Sequence, residues 1–291
     1  MSTMTNKHDL PAPVVEAIKA FNASYSKGSA DFSATELLKP AWQRRLQIQH
    51  ASDIVVDASD GVSSLFGSAV HAILEAAAGM PSVTVEERLF ADFNGVMVSG
   101  QVDVMTAIEH GTIIDDYKTG KAYKIKGGVP DDWVEQENIY AELARRNGVE
   151  VFGLRVVFIC LDWSKAEAAR DSAYPQAPIT VHQVELLSPV AATGLIERRI
   201  AAQSTSTPEP CTAEERWQTE DTWAVQKPAN KRASKVCTSM DEAEDWVIEQ
   251  KRPSDYAIIE RPGTSRRCQD WCSVSEFCSY WQEIKPKEED K

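Results

Sequence analysis

Between Val83 and Tyr117 the sequence runs through three extended segments joined by two tight turns, and no other stretch limits the fold as much. Val83–Asp92, Val96–Ile108 and Thr112–Tyr117 are rich in β-branched residues and read as strands. Asn94-Gly95 supplies the positive-φ pair of a two-residue hairpin, and His110-Gly111 marks the second turn. An antiparallel meander is the expected outcome. A helix follows, capped by Asp131 or Asp132, running to Asn147 and stopped by Gly148. Val151–Leu161 and Ile179–Leu187 read as two further strands. Ser188-Pro189 opens a helix that continues through Ile200. Strands interleaved with helices in this way predict an α/β fold with a mixed central sheet flanked by helices.

The flanks are simpler. The first ten residues read as irregular. Pro11–Tyr25 carries a helical stripe at Val14, Val15, Ile18 and Phe21. Ser33–His50 is a second helix candidate, although Pro40 suits a first turn better than a helix interior. Ser63 or Ser64 opens a third helix through Leu65, Ala69, Ile73 and Leu74, ended by Gly79 and Pro81. Residues 202–210 have linker composition. Beyond them, Thr222–Val225, Ala233–Val236 and Ala257–Ile259 read as short strands, with a helix over Met240–Glu249. The expected division is an N-terminal helical region (1–60), a core (61–205) and a small C-terminal α/β region (206–291). The longest strongly apolar stretch, Val151–Leu161, contains Arg155 and is too short to span a bilayer, so no membrane partner is expected. The first twenty residues lack the charged start and apolar run of a secretion signal, which predicts a cytoplasmic protein.

Chemistry concentrates on Gly100-Gln101-Val102-Asp103 and on Ile114-Asp115-Asp116-Tyr117-Lys118-Thr119-Gly120. Asp116 and Lys118 stand two apart on a strand and leave the same face. With a turn near His110, Asp103 falls close to opposite Asp116 or Tyr117. Two neighbouring carboxylates repel unless a cation lies between them, and hard oxygen ligands suit Mg²⁺ or Mn²⁺. Such an ion activates water and neutralises phosphodiester charge, with Lys118 placed to assist. His71, one turn after Gly67 on the preceding helix, can complete a metal shell, and Gly67 permits close backbone approach. Gln136 and Tyr140 lie four apart on the following helix and share a face.

In order, G-x-x-x-H, G-x-x-D, D-x-K-T-G and Q-x-x-x-Y resemble the RecB-type branch of the PD-(D/E)XK nucleases, over about Ser63 to Tyr140. The resemblance implies a restriction-endonuclease-like mixed sheet flanked by helices. It implies metal ligation by His71, Asp103, Asp116 and the Tyr117 carbonyl. It makes Lys118 the catalytic lysine, alongside Asp103 and Asp116, with Gln136 and Tyr140 helping to hold DNA and the lysine. The family often adds a glutamate one strand earlier, for which Glu86 and Glu87 compete. The implied activity is a metal-dependent deoxyribonuclease, an exonuclease in repair, recombination or phage DNA processing. The rival reading is a non-catalytic module that binds DNA ends.

Cys268-x₃-Cys272-x₅-Cys278 brings three of the six cysteines together, and Cys211, which follows the linker, is the best fourth partner. Four thiolates suit a [4Fe-4S] cluster or Zn²⁺. Members of the RecB-type family often carry a [4Fe-4S] cluster, usually with the first cysteine upstream of the core, where the region of Leu38-Lys39-Pro40 has none. Cys160 and Cys237 read as ordinary buried residues.

The chain carries 31 Lys+Arg against 44 Asp+Glu, a formal charge of −13, and so has no general attraction to nucleic acid. DNA must be held locally. Lys118, Lys121, Lys124 and Lys126 fall within a run free of acids directly after the metal motif. Lys227, Lys231, Arg232 and Lys235 form a second such run. Trp42, Trp133, Trp163 and Tyr123 are candidates for stacking on unpaired bases. No G-x-x-x-x-G-K-[ST] motif occurs, so any ATP-driven motor comes from a partner such as a helicase. A single-strand-annealing protein is the other expected partner.

Overall fold

The computed structural model describes residues 3–24 and 26–285. In chain order its strands are β1 (Thr3–Thr5), β2 (Phe32–Ser33), β3 (Val55–Asp57), β4 (Val83–Phe93), β5 (Val96–Ile108), β6 (Gly111–Gly120), β7 (Val151–Cys160), β8 (Ile179–Val184), β9 (Thr222–Gln226), β10 (Lys235–Cys237) and β11 (Ala257–Arg261). Its α-helices are α1 (Ala12–Ser24), α2 (Ala34–Leu37), α3 (Ala41–Gln49), α4 (Val62–Leu74), α5 (Asp131–Arg146), α6 (Lys165–Arg170), α7 (Pro189–Ser204), α8 (Met240–Ile248) and α9 (Ser279–Ile284). The chain forms two compact units, one of Met1–Lys39 with Val55–Pro208, the other of Pro40–Ile54 with Glu209–Lys291. The first sixty residues are therefore shared between both units.

The first unit is a mixed sheet flanked by helices, in the order β2-β5-β6-β7-β8 with β4 on the other side of β5. The β4–β5–β6 meander is antiparallel, β7 joins β6 in parallel, and β8 returns antiparallel. β5 pairs with β6 only from Ile108 to Val104, and further along β2 pairs in parallel at Val98 and Ser99. The β6-facing edge of β5 is thus left unpaired around Asp103, while its other edge stays paired with β4. Irregular backbone at this point makes room for a site.

α5 covers the sheet. Asp131 and Asp132 stand in its first turn and Arg145 and Arg146 in its last, both favourable to the helix dipole. Gly148, at φ +82°, ends it. Ile139, Leu143 and Ala144 pack with Val98, Val102, Ile114, Leu154 and Val156, and Leu195, Ile196 and Ile200 of α7 close the layer. Gly100 lies beneath α5, where an added Cβ would stand 2.7 Å from Leu143 Cδ1 and 2.8 Å from the Tyr140 ring. Gly100→Ala is expected to destabilise the protein by about 1–3 kcal/mol through overpacking, read from urea unfolding.

Two boundaries differ from expectation. Ser33–His50 is two helices: Pro40 caps α3, and its restriction on Lys39 breaks the run. β8 ends at Val184 because the buried Asn138 takes over the next backbone groups, donating to Glu185 O at 2.9 Å and accepting from Leu187 N at 2.8 Å. The first residues are also more regular than expected, since β1 pairs in parallel with β3. Met1 and Ser2 lie outside the described residues.

In the second unit β10-β9-β11 form an antiparallel sheet. Val225, Cys237 and Ala243 are buried there against Trp223, Trp246, Val247, Tyr256 and Ile258. Cys160 packs beside Phe158 in the first unit. No described helix is long and apolar enough to cross a membrane.

Candidate metal and catalytic site

β4, β5 and β6 each bring a carboxylate to one place. Glu86 falls between the paired residues Val85↔Val104 and Glu87↔Val102, opposite Asp103. β5 and β6 pair as far as Val104↔Asp115, so Asp103 and Asp116 occupy the next position. Tyr117 N, released from the ladder, donates to Asp103 Oδ2 at 2.7 Å. Glu86 holds φ at +50°, a strained conformation for a non-glycine residue that costs on the order of 1–3 kcal/mol. His71 of α4 completes the group. Its Nδ1 lies 3.2 Å from Glu86 Oε1 and 3.5 Å from Asp103 Oδ1, and its Nε2 lies 3.1 Å from the Tyr117 carbonyl oxygen. One ligand atom from each of His71, Glu86 and Asp103 lies within 4.8 Å of the others.

Glu86, not Glu87, is therefore the glutamate of this cluster. Gln101 fixes it by donating to Glu86 Oε2, and Arg88 donates to Gln101 Oε1 in turn. Gly67 is not what lets α4 approach, since an added Cβ would sit at ordinary contact distance, 3.6 Å from Thr119 Oγ1.

Asp116 belongs to an adjoining set. Lys118 Nζ lies 2.6 Å from Asp116 Oδ2 and donates to Gln136 Oε1 at 3.1 Å. Gln136 Nε2 faces Asp116 Oδ1 at 3.2 Å and the Tyr140 hydroxyl oxygen at 2.7 Å. Every residue expected in the catalytic group is thus drawn into one of two touching networks. Asp115, next to Asp116 in sequence, is held elsewhere by Arg155, at 2.6 and 2.7 Å.

Burial, followed by the charge of Asp116, pushes Asp103 up to about 7, against the opposing pull of His71, the Tyr117 N–H and Lys118. Burial works against the Lys118 ammonium, yet Asp116, Asp103 and Glu137 outweigh it and raise its pKa above the ordinary lysine value. Lys118 is consequently a fixed positive charge and not a proton acceptor at neutral pH. Burial raises the Tyr140 phenol well above its usual range, which keeps it neutral.

Glu137 was not legible as a site residue. It is fully buried on α5, and neither carboxylate oxygen has a hydrogen-bond partner among the described residues. Burial and then Asp116 raise it well above the ordinary glutamate value. Its folded-state pKa exceeds the unfolded one, so its contribution to stability is present at acid pH and lost as pH rises. Glu137→Met removes that penalty and is expected to stabilise the protein at pH 8 by about 1–3 kcal/mol, measured by chemical denaturation.

Ala122 and Ile125 turn inward against Phe158 and Cys160, which leaves Lys121, Tyr123 and Lys124 exposed beside the site. Lys126 is exposed too, but pairs with Asp171 at 2.8 Å. In the second lysine run Lys227 faces Asp255 and Lys235 faces Glu242. The three candidate tryptophans are each part-buried. Trp133 packs on Phe158, Trp163 Nε1 donates to Pro175 O at 2.8 Å, and Trp42 is half-buried.

In the second unit Cys211, Cys268, Cys272 and Cys278 line one cavity. Burial pushes the Cys211 thiol up to about 12, and burial also raises Cys268 and Cys272.

No protein-family model matches the chain, and no curated protein matches it. Among solved structures, one described as "Crystal structure of SSO0001" is similar over 66% of this chain and 85% of its own, with 18% identity and a TM-score of 0.46.

Proposed function

We propose that the chain is a metal-dependent DNA nuclease, an exonuclease that hydrolyses phosphodiester bonds at ends or in single strands. The observation that carries this reading is the convergence of His71, Glu86, Asp103 and the Tyr117 carbonyl beside the Asp116–Lys118–Gln136–Tyr140 network. Oxygen donors with a single imidazole fit Mg²⁺ or Mn²⁺. Bound there, such an ion supplies an activated water and neutralises phosphodiester charge. Lys118 offers a permanent cation to the charge that develops on phosphorus-bound oxygens. Gln136 holds both Asp116 and Lys118 in place, and Tyr140 buttresses Gln136. Lys121 and Lys124 provide exposed cations for phosphate contacts.

The test is release of nucleotides from end-labelled single- and double-stranded DNA with Mg²⁺, Mn²⁺ or chelator. Metal-dependent release is expected. Wild-type protein that leaves both substrates uncut overturns the reading, and metal-independent binding of ends without cutting supports the non-catalytic module.

The cysteine cavity fits a second group. Four thiols lining one cavity suit a [4Fe-4S] cluster, with Zn²⁺ as the alternative, in a role that ties together the segments of its own unit. Iron and sulfide in the purified protein, in place of zinc, is the expected analysis.

A further inference from the structure

Three of the residues lining the cysteine cavity come from α3. Trp42, Gln43 and Leu46 sit among the four cysteines, although Trp42 precedes Cys278 by 236 residues. The indole Nε1–H of Trp42 donates to Cys278 Sγ at 3.4 Å. A backbone N–H of Gln43 faces the Cys211 sulfur. The far end of this segment is anchored as well. His50 stacks on Phe277 at 4.2 Å and 3°, and Gln47 donates to Ser273 Oγ at 3.3 Å. The cysteine-free upstream segment therefore contributes N–H donors aimed at sulfur.

We propose that α3 is the redox-tuning wall of the cysteine site: Trp42, through its indole N–H on Cys278, stabilises the one-electron-reduced form of the bound iron–sulfur group. This rests on the cluster reading above and deepens it. Reduction adds one electron, from a low-potential one-electron donor, and places more negative charge on the ligand sulfurs. A hydrogen bond to sulfur strengthens with that charge, so it favours the reduced form over the oxidised one. Phenylalanine keeps the ring and removes the donor. Histidine keeps a ring N–H.

The experiment is a dithionite titration with mediator dyes on the full-length, cluster-loaded protein, followed by electron paramagnetic resonance of the reduced form. At the wild-type midpoint, Trp42→Phe is expected to show a reduced-to-oxidised ratio about tenfold lower, which for one electron corresponds to about 59 mV. Trp42→His is expected to recover part of that difference. A Trp42→Phe protein that loads iron and titrates like wild type overturns the proposal and leaves the cluster reading intact. Should Trp42→Phe fail to load, loading by Trp42→His supports the N–H role, and failure of both overturns it in favour of ring packing. Wild-type protein that takes up zinc and no iron removes the cluster reading and this proposal together.

Discussion

Lys118→Met is expected to lower metal-dependent DNA cleavage by about 10²–10³-fold, the usual loss when one fixed electrostatic group is removed from a charge-developing step. Methionine keeps much of the lysine volume and removes the charge. The ammonium lies 2.6 Å from Asp116 Oδ2 and donates to Gln136, and most of its side chain is withdrawn from water. Asp116→Asn is expected to be similarly damaging, because it unpairs Lys118 and breaks the Gln136 contact. The two residues act as one unit, so the double variant should be little worse than the poorer single one. Single-turnover cleavage at saturating Mn²⁺ measures this, with circular dichroism melts to confirm folding. Additive losses in a folded double variant would show that Lys118 and Asp116 act separately, contrary to the geometry. Full activity in Lys118→Met would remove the lysine from the chemistry and end the nuclease mechanism built on its charge.

How much of this site the sequence exposes depends on where each neighbour comes from. Asp103, Asp116 and Lys118 were legible because two short turns set the strand register. The same reasoning extends further than the motif did. Asn94-Gly95 pairs Phe93 with Val96, and counting back along β4 places Glu86 opposite Asp103. The turn alone therefore chooses Glu86 over Glu87. What register does not disclose is strain: the positive φ of Glu86 follows from the site, not from its residue type. Glu137 stayed hidden for another reason. On a helix it reads as one more surface acid, and only the packing of α5 on the sheet buries it. Pro40 was visible as an awkward residue in a long helix, but nothing local says that the helix after it joins cysteines more than 200 residues away.

Metal binding to the first unit is expected to release a proton from Asp103 and to weaken about tenfold for each pH unit below 7. Burial and the neighbouring Asp116 charge hold this carboxyl near 7, against an ordinary value of 3.8. An ion coordinated by Asp103 needs the ionised form, so below pH 7 it must first displace the proton, and above pH 7 the slope flattens. Without metal the sign for folding is the reverse of the usual carboxylate case. The raised pKa contributes stability below about pH 4 that is lost as pH rises through 7, and added Mg²⁺ or Mn²⁺ should restore it. Calorimetric titration with Mn²⁺ at pH 6, in buffers of different ionisation enthalpy, measures the released proton directly. Asp103→Asn should bind the ion more weakly and lose the Asp103 part of the slope, because the amide has no proton to displace. Equal Mn²⁺ affinity for the wild type at pH 5.5 and 7.5 would mean that Asp103 does not meet the ion, and the cluster of His71, Glu86 and Asp103 would then be an internal hydrogen-bonded network with no metal in it.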